Sequence, residues 1–116
     1  MLTFICYPKC TTCQRAKKWL DDHGVTYELR DIKLDNPTRA ELAAWHEMSG
    51  LPLKKFFNTS GLLYKSLDLK TKLPTMSDGE MLDLLASNGM LVKRPLLVED
   101  GFVLVGFKEE AYQSKI

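Results

Sequence analysis

The stretch from Leu2 to Ile32 reads as strand, helix, strand, and that order constrains the chain more than any other feature. Leu2 to Cys6 is a short β-prone apolar run, broken by Pro8 and Lys9. From Thr11 to His23 the period becomes helical, with Ala16, Trp19 and Leu20 on one face and Gln14, Lys17, Lys18 and Asp21 elsewhere. His23-Gly24 stops the helix, because glycine suits the left-handed position that follows a last turn. Val25 to Ile32 then alternates, with Val25, Tyr27 and Leu29 facing one way. A helix between two strands returns the chain to the same end of the sheet, so the strands pair in parallel.

The remainder must build onto that parallel pair. Asn36-Pro37 reads as an N-cap followed by proline at the first helical position, opening a helix that reaches Met48 and ends at Ser49-Gly50. Leu53 to Leu69 reads as two short helices broken near Asn58–Gly61. Ser77 and Glu80 form a capping box for a helix that carries Met81, Leu82, Leu84 and Leu85 and stops at Asn88-Gly89. Leu96–Val98 and Val103–Val105 flank the turn Glu99-Asp100-Gly101, which makes an antiparallel hairpin. Lys108–Gln113 is a last helix. The predicted order is βαβ, a helical insertion over about 37–89, then ββα, within one domain spanning 1–116.

Charge separates few possibilities. Lys and Arg number 16 against 15 Asp and Glu, so a net charge of +1 gives no argument for direct nucleic-acid binding or for a membrane surface. No apolar run approaches the roughly 20 residues that span a bilayer. "MLTFICYPKC" lacks a basic start and a cleavage site, so a cytoplasmic protein is expected.

All three cysteines fall in "CYPKCTTC". The C-x3-C-x2-C spacing has the ligand types for a metal or an iron–sulfur cluster, while Cys10 and Cys13 alone form a C-x-x-C dithiol. A C-x-x-C after the first strand of βαβ…ββα is the thioredoxin-like layout, an α/β fold with a mixed sheet. Cys10 would then lie at a helix N-terminus, where unpaired amides and the dipole favour a thiolate. Cys13 sits about one turn further in and more buried, in reach of a mixed disulfide on Cys10. Thr11 and Thr12 are candidates for local capping bonds and substrate contact. Arg94-Pro95 precedes a strand at the position where this fold carries a cis-proline facing the thiols. Arg94 would bring a fixed positive charge to the Cys10 thiolate or to an anionic substrate.

Cys6 alternates with Leu2 and Phe4 and is expected in the core as a small hydrophobe. His23 and His46, the only histidines, stand at no zinc-finger spacing from the cysteines, so no bound metal or cofactor is expected. Lys54 and Lys55 read as a solvated face, and Trp19, Trp45, Phe56 and Phe57 as core.

The segments "YPKCTTCQRAKKWLDDHG", "GLPLKKFFNTSGLLYKSLDL", "LLASNGMLVKRPLLV" and "VGFKEEAY" resemble the arsenate reductase/Spx family of thioredoxin-like proteins. The resemblance runs through nearly the whole chain, and within the family it is closest to small C-x-x-C members of Gram-positive bacteria. It implies a catalytic cysteine at Cys10. The family's arsenate reductases hold their oxyanion with three arginines. Arg94 matches one, while Asn58 and Gly106 stand at the other two. Those reductases lack the counterpart of Cys13 and depend on glutathione and glutaredoxin, whereas Cys13 here supplies an internal resolving thiol.

The Spx-type regulators share the C-x-x-C and the "RP", and bind the RNA polymerase α-subunit with the disulfide as a switch. This sequence lacks their basic C-terminal extension and their central arginine, so polymerase binding is the less favoured expectation. The reading is a monomeric thiol–disulfide oxidoreductase of glutaredoxin type. Its partners would be a thiol or disulfide substrate or a redoxin, and glutathione or another thiol would donate electrons. Arsenate reduction and Spx-type regulation are the alternatives.

Overall fold

In a computed structural model describing residues 1–116, the opening βαβ unit closes as a parallel pair. β1 (Thr3–Cys6) pairs with β2 (Glu28–Asp31) across α1 (Thr11–Asp22). β3 (Leu96–Glu99) and β4 (Phe102–Val105) form the antiparallel hairpin, and β3 lies antiparallel to β1. The order across the sheet is β2-β1-β3-β4, the mixed sheet of a thioredoxin-like fold.

Successive side chains of a strand point to opposite faces, and here they sort into two cores. Phe4, Cys6 and Leu97 face α1 and α6 (Glu109–Lys115), packing with Ala16, Trp19, Leu20 and Tyr112. Ile5, Leu96 and Val103 face the other way, into the helical segment. That segment holds α2 (Arg39–Ser49), α3 (Leu62–Ser66), α4 (Leu69–Lys72) and α5 (Asp78–Ser87). Tight 3₁₀ turns lie at Leu53–Phe56, Leu73–Thr75 and Gly89–Leu91. The break near Asn58–Gly61 is present, whereas α4 and the turn after it had no sequence signal. No helix is long and apolar enough to cross a membrane.

Two local expectations are corrected. The N-cap of α2 is Thr38, not Asn36. The Thr38 hydroxyl accepts from the Glu41 amide at 3.1 Å, and the Glu41 carboxylate accepts from the Thr38 amide at 3.0 Å. Such a reciprocal box satisfies two of the amides that a helix start leaves open, which a lone asparagine cannot do. Asn36 instead donates to the Ala86 carbonyl at 2.8 Å, tying α5 to the loop after β2. The second strand begins at Glu28 rather than Val25. Val25 and Tyr27 pack partly buried on the thiol-side core, but Leu29 is 56% exposed. Leu29 pairs with Phe4 and shares its face, yet it lies on the edge strand, where it lines an open hollow with Cys13, Gln14 and Lys17 of α1.

The capping box of α5 forms as expected, between Ser77 and Glu80. A bidentate ion pair joins β2 to α2, Arg30 donating to the two Glu41 oxygens at 2.7 and 2.8 Å. The Arg30 guanidinium is the main reason that the Glu41 carboxyl is held down to about 2.

The helical segment also reaches the β3 side through main chain. Phe57 and Val92 form an antiparallel bridge; the Lys93 amide donates to the Phe56 carbonyl at 2.7 Å and the Asn58 amide to the Leu91 carbonyl at 2.8 Å. At Gly89 a Cβ would fall inside the Ile32 carbonyl, so only glycine permits this approach.

Candidate functional site: the Cys10 cleft

Cys10 is the N-cap residue of α1, with its backbone extended (φ −84°, ψ 123°). Its amide donates to the Tyr7 carbonyl at 2.9 Å and its carbonyl accepts the first helical bond from Gln14, so the turn is fixed from both sides. No side chain caps the helix, so neither Thr11 nor Thr12 plays the capping role proposed for it. The open amides of the first turn are therefore left beside the half-buried Cys10 thiol.

The Arg94–Pro95 peptide bond is cis, as the sequence pattern required. Across from Cys10, the Arg94 guanidinium lies over the Tyr7 ring at 5.4 Å from its centroid and makes one long bond to the Met90 carbonyl, at 3.4 Å. Its Nε is buried without a protein partner.

Cys10, Thr12 and Arg94 line one cleft of about 300 Å³. Asn58 and Gly106, the two positions singled out by the family resemblance, line the same cleft. Thr11 is exposed and Pro95 is buried, and neither is among the lining residues. Sequence reasoning missed Lys93 and Lys108, which bring two further cations to the same cleft. Lys93 was open to discovery as the neighbour of Arg94 in "KRP". Lys108 is brought in by the fold alone.

Cys13 is buried one turn into α1, and its sulfur accepts from the Tyr7 amide at 3.4 Å. Cys6 is buried at the end of β1, as expected, but it is not only a space-filling residue. The Cys6 and Cys13 thiols are close enough to perturb each other. The neighbouring Cys6 thiol, then burial, pushes the Cys13 thiol well above the ordinary range, and the Cys13 thiol pulls Cys6 down. All three cysteines are free thiols. No group of three or more His, Cys, Asp or Glu side chains is arranged to hold a metal ion. His23 caps the end of α1, its ring stacked on Trp19 and its Nδ1 2.7 Å from the Trp19 carbonyl oxygen.

A sheet of order β2-β1-β3-β4, a C-x-x-C at the start of the first helix and a cis-proline opposite define a thioredoxin-like protein. The ArsC family model matches residues 6–115, and the chain belongs to that family. It is 54% identical over 113 residues to the uncharacterised protein YusI of Bacillus subtilis, covering 97% of this chain and 96% of YusI. An ArsC-family-related protein of Bacteroides fragilis superposes with a TM-score of 0.96 at 57% identity, over 97% of this chain and 95% of the other. A protein of Streptococcus mutans described as a possible arsenate reductase gives 0.92 at 50% identity, over 100% and 98%. The global transcriptional regulator Spx of Streptococcus pyogenes is more distant, at 27% identity over 98% of this chain and 84% of the regulator.

Proposed function

We propose that this ArsC-family chain is a thiol–disulfide oxidoreductase of glutaredoxin type, with Cys10 as nucleophile and Cys13 as resolving thiol. The observation that carries the reading is the pairing of a half-buried thiol at an uncapped helix start with a buried second thiol one turn behind it. The Cys10 thiolate attacks one sulfur of a substrate disulfide. The substrate S–S bond breaks, a Cys10 mixed disulfide forms, and the displaced thiolate takes up a proton. Cys13, losing its proton, then attacks the Cys10 sulfur. The second substrate thiolate leaves, and two electrons have passed from the dithiol to the substrate. Glutathione or another thiol would reduce the Cys10–Cys13 disulfide and close the cycle. Arg94 supplies a fixed charge beside the reacting sulfur, and its buried, unpartnered Nε is a donor free for an anionic substrate group.

Arsenate reduction is the second reading. It is favoured by the S. mutans relative and by Lys93 and Lys108 in the cleft. It is opposed by Asn58 and Gly106, since a flexible ammonium is a poor substitute for a guanidinium fork on a multiply charged oxyanion. A regulatory role, with the disulfide as signal and RNA polymerase α-subunit as partner, draws on the Spx relative alone.

The test is NADPH consumption in a glutathione-coupled assay, run separately with a glutathione mixed disulfide and with arsenate. Turnover of the disulfide that is lost in Cys10→Ser, with little arsenate turnover, is expected. Robust arsenate reduction lost in both Cys10→Ser and Arg94→Ala would replace this reading with the second. Mass spectrometry of disulfides trapped on Cys13→Ser in cells is the companion experiment. Captured polymerase subunits in place of small thiols or redoxins would move the assignment to regulation.

A further inference from the structure

The Cys10 cleft does not end at Lys93 and Lys108. Those two residues and Val105 also line a neighbouring cleft of about 350 Å³, whose far side is formed by Lys54, Lys55 and Thr59. The same three residues line a third hollow, of about 430 Å³, in the helical segment. The floor of that hollow is apolar, built from Leu73, Pro74, Met76 and Met81, with Lys70 at its side. Shared walls make the three hollows one trough running from the thiol across the helical segment.

The charge along this trough is one-sided. Lys54, Lys55, Lys70, Lys93, Arg94 and Lys108 line it, and no Asp or Glu does. None of the six makes a salt bridge, although the chain as a whole carries a net charge of only +1. Elsewhere Lys17 and Lys18 pair with Asp21 and Asp22, and Arg30 and Arg39 with carboxylates of their own, while Lys9, Arg15, Lys33, Lys65, Lys72 and Lys115 make no salt bridge. The acids at the start of α6, Glu109 and Glu110, line an adjoining cleft with Arg15 and Lys18, which shares Phe107 and Lys108 with the Cys10 cleft and leads away from the helical segment. The acids thus enter only beyond Lys108, on the α1–α6 side, and the hollows over the helical segment carry cations alone.

We propose that this trough binds an extended acidic polypeptide segment with apolar side chains, carried by the protein whose disulfide Cys10 reduces. The inference rests on the redox reading for its last clause only. A small thiol such as glutathione would be accommodated by the first cleft and would leave Lys54, Lys55 and Lys70 unused. An extended chain of about ten residues reaches roughly 30 Å, enough to follow the series of hollows from the thiol. Carboxylates would meet the lysines along the walls, and apolar side chains would enter the Leu73–Met81 hollow. Complementary charge of this kind sets partner choice and association rate more than it sets total affinity.

Fluorescence anisotropy tests the trough directly, with a labelled, cysteine-free peptide of about ten residues built from Glu, Asp, Leu and Gly. The double reversal Lys54→Glu/Lys55→Glu is expected to weaken binding about tenfold at low salt, and added salt to weaken the unmodified protein's binding similarly. Lys17→Glu/Lys18→Glu changes net charge equally on the outer face of α1 and is expected to alter binding by less than about twofold. Circular dichroism melting of each variant reports whether it is folded. Equal losses in both double variants would reduce the effect to net charge and overturn the proposal. So would preference for a neutral peptide, or stronger binding by a single-stranded oligonucleotide of the same charge. Peptide binding that persists in a protein without disulfide turnover would leave the trough standing and remove the redox reading. Turnover without peptide binding would do the reverse.

Discussion

The two faces of the sheet are built to different standards. On one, a cluster of 15 buried residues joins the sheet to the helical segment, with Phe56, Phe57, Leu42 and Leu85 fully or almost fully enclosed. On the other, a cluster of nine holds the sheet to α1 and α6, and it includes two thiols. The larger core has one indole, Trp45, and no thiol or hydroxyl among its buried residues, while the smaller one contains two thiols and a phenol whose hydroxyl has no partner. The Cys10 cleft opens where the two meet: Cys10 comes from the thin side, while Asn58 and Arg94 are tied to the thick one. The difference teaches that rigidity and reactivity have been divided between the faces, so substitutions should separate them.

The largest expected effect lies on the thick face. Phe56→Ala removes a fully buried ring next to the main-chain contact with Lys93, and a loss of about 3–5 kcal/mol in urea unfolding is expected. A loss below about 2 kcal/mol would show that this core collapses around the cavity and does not hold the cleft wall. At the boundary, Arg94→Ala removes the guanidinium that lines the Cys10 cleft. Alkylation of Cys10 at neutral pH should slow by about threefold to tenfold, with little change in melting temperature. An unchanged alkylation rate would relegate Arg94 to substrate contact alone.

Glu41 probes the thick face through pH. Its carboxyl is lowered from an ordinary 4.5 to about 2 by Arg30, so its contribution is complete above 4.5 and disappears as the pH falls towards 2. The Glu41 side chain is 35% exposed, so screening reduces that contribution to about 1 kcal/mol. Glu41→Gln should lower stability by about that amount at pH 7 and make it less dependent on pH between 4.5 and 2. Stability curves of the two proteins that run parallel through this window would show that the ion pair contributes nothing. The smallest effect belongs to the thin face. Tyr112→Phe deletes a hydroxyl buried without a partner and should stabilise the fold by up to about 1 kcal/mol in thermal unfolding. Destabilisation would mean that the hydroxyl is satisfied in solution.

What could be read from the chain follows the same division. The βαβ start, the hairpin, the Ser77–Glu80 box and the end of α2 at Gly50 all depend on neighbouring residues, and each was legible. Cys10, Arg94 and the cis bond were legible as well, because one motif and one dipeptide encode them. The start of α2 was misread because two capping signals lie two residues apart, and a hydrogen bond from Asn36 to distant Ala86 decides between them. Leu29 was placed on the right face, but its exposure depends on how far α1 extends. Lys108 in the cleft and the closeness of Cys6 to Cys13 are products of tertiary assembly, with no local pattern to announce them.

Gly89 has a bearing on how freely the rest of the chain can vary. Where backbone meets backbone, separation is fixed by peptide dimensions and not by side-chain volume. Gly89 abuts the Ile32 carbonyl, and the next residues supply the Met90 and Leu91 carbonyls that hold Arg94 and Asn58. The guanidinium is therefore measured from a reference point that repacking of the helical segment does not move. Leucines and lysines of that segment can be exchanged while the gauge between thiol and arginine stays constant.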